Sequence, residues 1–386
     1  MAAKAAVLRR GLNIPVFVAG RINQPQIAEQ VLAEGQADMC AMTRALITDP
    51  EMPRKARAGQ ADEIRACIGC NQACIGHFHA GNPISCIQNP LAGRESRMAP
   101  AAAAQKPLKL LIAGAGPAGM KAAVTAADLG HQVILAEAGA QPGGQALLAQ
   151  LLPERAEFGG LVTNLVTELR LRQIDLRLNT PVDAALIAAE KPDAVISAIG
   201  SRAYRPVLEG GGGQVLEAAE VLRGAAKPGG RVVIADWRCD QIGIGLAMML
   251  AQRGHHVRLA VAGICAGQNL QQYLRDTWAG KLFEAGIEVI PYARIYGHDA
   301  DTAWFLHTAS GAAITISGVD TIVLVEGHVP DQSLEAVVEA SGLPLLSIGD
   351  AMMSRTAEEA IYDGLVATRR FLASLDQTPC LSGEKP

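Results

Sequence analysis

Between Asn13 and Leu46 the apolar and polar positions change period twice. NIPVFVAG is apolar and rich in strand formers, QPQIAEQVLAEG spaces its apolar residues as a helix does, and ADMCAMTRAL opens a further apolar run, so the pattern predicts strand, helix, strand. Strands joined through a helix pair in parallel. A polar helix is expected from about Pro50 to Gly59, followed by a cysteine-bearing loop that runs to about Pro90. The stretch SRMAPAAAAQKP (96–107) has little to bury and marks the clearest expected boundary. From Leu108 the run KLLIAG, a glycine turn, the helix PAGMKAAVTAADLG and the run QVILAE make a βαβ unit. RVVIAD, IGIGLAMMLAQRG and HVRLAV repeat it from Arg231. DAVISAIG (193–200) and DTIVLVEG (320–327) follow the two units in the same manner, and LLSIGDAMMSRTAEEAIYDGLVATRRFL reads as a last strand and helix that return to the first.

Composition narrows this to an α/β chain. Its 386 residues are enough for two or three cores, and 49% hydrophobic residues with 40 glycines and only 4% aromatics suit many βα turns between aliphatic strands. A formal charge of −4, with both signs spread along the chain, offers no basic stripe for nucleic acid and no acidic tail. The N-terminal run MAAKAAVLRRGLNIPVFVAG lacks the long apolar core of a signal peptide, and no stretch reaches the roughly 18 uninterrupted apolar residues of a membrane span. A cytoplasmic chain with no membrane or nucleic-acid partner is the expectation.

Four of the eight cysteines, Cys67, Cys70, Cys74 and Cys86, crowd one short stretch around CIGCNQAC, which in a reducing compartment points to metal ligation before disulfides. Three thiolates on a tight loop and a fourth from farther along can surround a [4Fe–4S] cubane. A four-cysteine zinc site is the alternative, although zinc ribbons pair two CxxC knuckles and the second half here has none. His77 and His79 share the loop, but four cysteines already fill a site, so both read as ordinary loop histidines. Cys40, Cys239, Cys265 and Cys380 read as buried or incidental thiols.

Gly114, Gly116 and Gly119 form GxGxxG between a strand and a helix, the context in which glycines make the tight turn, admit a pyrophosphate and let helix and strand pack. The anion then rests on the helix N-terminus. Glu137 ends the next strand, placed to accept hydrogen bonds from an adenosine ribose. Pro142, Gly143, Gly144 and Gln145 would line the same crevice, and Asp350 in IGDA would reach the far half of a dinucleotide, unless it is a helix N-cap. A glycine turn used only for packing is the plain alternative.

Taken together, CIGCNQAC, GAGPAG, EAGAQPGGQ and IGDA resemble the C-terminal part of the family of 2,4-dienoyl-CoA reductase, trimethylamine dehydrogenase and the N-methyl amino acid demethylases, relatives of old yellow enzyme. The resemblance implies an FMN-binding (β/α)₈ barrel, a [4Fe–4S] cluster after it, and an FAD or ADP domain with a second nucleotide-type domain inserted. It implies that residues 1–60 are the last two barrel units, 61–95 the cluster loop, 96–107 a linker, 108–227 with 340–386 the FAD/ADP domain, and 228–339 the inserted NAD(P)-type domain. VFVAGRI and MCAMTRALITDP then look like the barrel strands whose loops hold the FMN phosphate, with Gly20, Arg21 and Arg44 around it. For Arg44 a surface salt bridge is the alternative. Six barrel strands and the substrate-binding residues are not in the sequence, so no catalytic acid, base or nucleophile can be named, and FMN is expected only where another chain or a second copy completes the barrel. In the inserted domain DWRCDQIGIG stands where an NADPH-binding member would have a glycine turn, so Asp236 and Trp237 would obstruct and repel a pyrophosphate. This resembles the amine branch, and implies oxidative N-demethylation of a small methylated amine or amino acid with electrons leaving to a partner protein. NAD(P)H-dependent reduction of an enoyl substrate, and a non-catalytic electron-transfer subunit or truncated remnant, remain the other readings.

Overall fold

Five short strands carry aliphatic residues on both faces and pair in parallel, in the order Leu345–Ser347, Ala194–Ser197, Lys109–Ala113, Gln132–Ala136, Asp175–Arg177. Strands buried on both sides read as continuous apolar runs because helices cover each face. Leu111 and Ala113 pack under Ile187 and Val338 on one side, while Leu110 packs under Ala126, Leu129 and Leu372 on the other. The structure, a computed structural model, describes residues 1–98 and 102–376. Residues 99–101 of the expected linker, the end of the expected FAD/ADP domain from 377 on and Cys380 lie outside the described residues.

A second parallel sheet has the order Glu288–Ile290, His256–Val261, Arg231–Asp236, Thr321–Val325, Gln214–Glu217. Val232 and Ile234 face the helix Gln241–Gln252, while Val233 and Ala235 face Ile295 and Phe305 of an antiparallel meander, Ala293–His298, Thr302–His307 and Ala313–Ser317, that the sequence pattern did not separate.

The chain divides into one unit of Met1–Ala146, Glu157–Gly200 and the segment from Gln332 on, and another of Leu147–Ala156 with Ser201–Asp331. The breaks therefore fall at 146/147, 156/157, 200/201 and 331/332, and the last two stand where 227/228 and 339/340 were expected. Strand pairing accounts for the first shift: Gln214–Glu217 joins the second sheet beside Thr321–Val325. Packing accounts for the other, since Leu334 and Val338 bury in the core of the first sheet. Residues 96–107 separate no units, because the N-terminal segment and cysteine loop belong to the first unit.

In that N-terminal segment Phe17–Ala19 and Met39–Ala41 pair in parallel, with no third strand among the described residues. Val18 buries with Ala5, Val31 and Ala37 against the helices Ala2–Arg9 and Pro25–Ala33, the first of which was not anticipated. The opposite face is open: Phe17 is 63% and Met39 54% exposed.

The helix Ala357–Leu375 lies against Pro117–Asp128 at very short range, because a Cβ on Gly364 would come 2.6 Å from the Ala118 carbonyl oxygen and 2.8 Å from Lys121 Cβ. Gly364→Val should therefore push the two helices apart and cost about 1–3 kcal/mol as overpacking does, read as a lower thermal midpoint by circular dichroism. Gly280→Ala, in the helix Gln272–Glu284 with nothing within 4 Å of the new Cβ, should be neutral or stabilising. Equal midpoints for the Gly364 variant and the unmodified chain would contradict the packing described.

Candidate cofactor sites

The glycine turn stands at the C-terminal end of Lys109–Ala113, in the middle of the first sheet, with Gly116 as N-cap of Pro117–Asp128. Gly114 has φ +95°, a conformation L side chains rarely adopt, and a Cβ there would strike the Ala198 carbonyl. Gly119 admits no side chain because the Gly114 carbonyl oxygen fills its place. At Gly116 nothing lies within 4 Å of a Cβ position, so the backbone is open to an approaching group, and Gly144 closes the other side with its own Cβ position 3.3 Å from Gly116 Cα. Glu137 does more than sit near the crevice. Its carboxylate accepts from the Ala115 N–H at 2.7 Å and the Gly139 N–H at 2.7 Å, holding the glycine turn and the next loop together, and its remaining lone pairs can take ribose hydroxyls. Gln145 donates to Asp350 at 3.1 Å, and Asp350 also accepts from the Arg355 N–H, so these two candidates meet. Asp350 is not the N-cap of the following helix; Thr356 is, in a capping box with Glu359.

Cys67, Cys70, Cys74 and Cys86 line one cavity, with Ile47, Ile68, Ile87 and Ala73 as its apolar wall and Arg44, Thr48, Asn71 and Gln88 as its polar residues. Asn71 takes a left-handed turn at φ 58°, after which the chain winds through the wide turn Gln72–Gly76 that aims Cys74 back at the others. Burial pushes the Cys70 thiol up to about 12, and Cys86, Cys74 and Cys67 press in the same direction while the Gln72 N–H opposes them. Burial also raises Cys74, against the Arg44 guanidinium. Cys70 and Cys74 thereby resist ionisation until a positive centre joins them, and four cysteines lining one cavity are the donor chemistry an iron–sulfur cluster fits. Among the described residues no three His, Cys, Asp or Glu side chains are gathered tightly enough to hold one metal ion. His77 is committed elsewhere, with Nε2 3.1 Å from Glu358 and Nδ1 3.0 Å from the Pro83 carbonyl.

Gly20, Arg21 and Arg44 follow the C-terminal ends of the paired strands Phe17–Ala19 and Met39–Ala41. Gly20 and Arg21 are both left-handed, at φ 115° and 58°. Arg21 is paired with Glu157, and Arg44 donates to Asn71 at the edge of the cysteine cavity, so Arg44 is not a plain surface salt bridge.

In the second unit Asp236 ends its strand where Gly114 follows the equivalent one. Asp236 is 1% exposed, accepts from the Cys239 N–H at 2.9 Å through Oδ1, and presses Oδ2 toward Gly243 of the next helix with no hydrogen-bond partner. Burial pushes its carboxyl up to about 8, with Asp240 adding to the rise. The expected repulsion thus needs correcting: below that value the group is neutral and obstructs by filling the turn. Trp237 beside it is half-exposed.

Residues 108–362 match the model of the pyridine nucleotide-disulphide oxidoreductase family, and residues 2–63 match that of the NADH:flavin oxidoreductase / NADH oxidase family. An N,N-dimethylglycine/sarcosine dehydrogenase of Chromohalobacter salexigens is 31% identical over 95% of this chain and 59% of its own length. An NADH oxidase of Thermoanaerobacter brockii is 42% identical over 57% of this chain and 34% of its own. Among solved structures, a 2-naphthoyl-CoA reductase superposes with a TM-score of 0.83 at 30% identity, over 93% of this chain and 54% of that one. The chain thus spans between about a third and three-fifths of the length of these curated relatives.

Two outcomes follow from the geometry. Glu137→Gln, which keeps an acceptor for one of the two N–H groups and sets an amide NH2 against the other, should weaken FAD or ADP binding about tenfold and lower the thermal midpoint, and Glu137→Ala, which orphans both N–H groups, should destabilise by about 1–3 kcal/mol; calorimetric titration and melting separate the effects, and unchanged affinity in both variants would rule out the ribose contact. Asp236 ionises near 3.9 when unfolded and at about 8 in the fold, so the folded chain holds an extra proton between those values and loses stability as pH rises through that window. Asp236→Asn should accordingly gain on the unmodified chain between pH 5 and 9 in urea melts, and parallel pH profiles would show that the buried group is already ionised.

Proposed function

The chain belongs to the pyridine nucleotide-disulphide oxidoreductase family, among the flavin and iron–sulfur oxidoreductases that include sarcosine and dimethylamine dehydrogenases, and on that premise we propose that it carries one [4Fe–4S] cluster and one adenine dinucleotide in an amine-oxidising demethylase. The observation that carries this reading is the pairing, in one unit, of four thiols around a cavity with an open glycine turn.

A cluster and a flavin supply one- and two-electron transfer when bound. The protein's part is binding and orientation. Gly116 and the helix N-terminus receive a pyrophosphate, Glu137 and Asp350 address hydroxyls, and Cys67, Cys70, Cys74 and Cys86 supply the thiolates. The loops bearing Gly20, Arg21 and Arg44 would suit an FMN phosphate at the strand ends. The bare face of Phe17 and Met39 supports covering by further barrel strands.

Amine oxidation is favoured by the dehydrogenase similarity over nearly the whole chain and by the filled turn at Asp236, which argues against a nicotinamide dinucleotide in the second unit. The likeness to an NADH oxidase and a CoA-ester reductase supports NAD(P)H-dependent enoate reduction as the second reading. Anaerobic reconstitution of the full chain with iron, sulfide and FAD should give about four irons per chain and broad absorption near about 400 nm, unaffected by added NADPH or NADH. Stoichiometric zinc without that absorption would overturn the cluster, and rapid bleaching by NADPH or NADH would favour the reductase.

A further inference from the structure

Glu168 lies in the helix Gly159–Leu171, whose residues Gly160, Asn164 and Glu168 are four apart and so share one face. That face is given over to the cysteine segment. A Cβ on Gly160 would come 3.0 Å from Ile68, between Cys67 and Cys70. Asn164 donates to Gln88 at 2.6 Å and to the Ala66 carbonyl at 3.2 Å. Glu168 receives Arg65 through Oε1 at 2.7 Å and Lys121 through Oε2 at 3.1 Å.

The three charges have little water around them. Lys121 is 8% exposed, and its ammonium is depressed by burial against the pull of Glu168. Burial alone would raise the Glu168 carboxyl, yet Arg65 and Lys121 hold it down at about 2. Arg65 stands two residues before Cys67 and donates to the Thr48 carbonyl at 3.1 Å; the Thr48 hydroxyl is 3.5 Å from Cys86 Sγ. Lys121 belongs to the helix that starts at the glycine turn. A staple between two segments needs one ion pair. Here a second cation is buried on the same carboxylate, so the group carries one net positive charge in a poorly screened place that reaches the thiols through Arg65, two residues before Cys67.

We propose that Glu168 is a positioning residue for the cysteine site: with Arg65 and Lys121 it seats the segment carrying Cys67 and Cys70 and sets the local charge that an iron–sulfur group there experiences. This rests on the cluster reading above. A reduced cluster carries one more negative charge than an oxidised one, so loss of a nearby negative side chain favours reduction and loss of a positive one disfavours it.

The test is a potentiometric titration, followed by electron paramagnetic resonance, of the full chain reconstituted anaerobically with iron and sulfide. E168Q should raise the midpoint potential and K121M should lower it, both read on the fraction of chains that carries the full complement of iron. Should E168Q fail to fold, K121M and R65Q carry the test, and both should shift downward. Potentials unmoved, or E168Q and K121M shifted in the same direction at full iron content, would overturn the proposal and leave the cluster reading intact. An unmodified chain that takes up no iron overturns both.

Discussion

A buried segment without regular structure must find a partner for each backbone polar group that helix or sheet would otherwise satisfy. The cysteine segment meets part of this demand with amide side chains, one from the loop after the first N-terminal strand and two of its own. Asn23 donates to the Cys67 carbonyl at 2.8 Å, Gln88 to Ala66 at 3.0 Å, and Asn89 to Ile47 at 2.9 Å, while Ser85 closes on the Ala73 carbonyl through its own N–H at 2.7 Å. Three of these donors are neutral amides. They order the loop without placing further charge beside the thiols, of which burial already opposes the ionisation of Cys70 and Cys74. The cavity, its coupling to the helix Gly159–Leu171 and its link to the N-terminal strand pair all depend on this set of bonds.

The two parallel sheets pose one problem at their crests and solve it in opposite ways. A strand leading into a helix at the middle of such a sheet leaves backbone N–H groups at the turn needing an acceptor. In the first unit the acceptor is Glu137, from the neighbouring strand, so the turn itself stays clear at Gly116. In the second, Asp236 at the strand's own end takes the Cys239 N–H and packs against Gly243, and the space is filled from within. Similar strand order therefore gives a crevice in one case and a plug in the other, and one residue position decides which.

The βαβ repeats, the return of Leu345–Ser347 to the first sheet and the four thiols were legible because each is written locally, in runs of apolar residues or fixed spacings. Family likeness added the reading of Gly20, Arg21 and Arg44. What escaped is non-local. Glu157, Asn164 and Glu168 look like ordinary polar residues of an amphipathic helix, and only the fold reveals that they face the cysteine segment. The strand Gln214–Glu217 is too short for periodicity to assign it to a sheet, which displaced the expected boundary. Asp236 was read as a charge, since burial cannot be seen in a sequence, and Glu137 as a ligand contact only, since its two backbone partners lie on separate loops.

Arg21 bears on how the N-terminal strand pair and the cysteine site are joined. A non-glycine residue at positive φ needs something to hold it there. Here the side chain is fixed by Glu157 and the next turn by Asn23 on the Cys67 carbonyl. Arg44, after the second strand, is likewise held by Asn71 within the cysteine loop. Both loops at the C-terminal ends of the paired strands are thus fixed by residues of the cysteine site or of the segment that seats it. A group bound at those strand ends and one bound among the thiols would share the same supports, so displacing one loop disturbs both. Such mutual fixing is what a chain needs if two redox groups are to keep a constant separation through turnover.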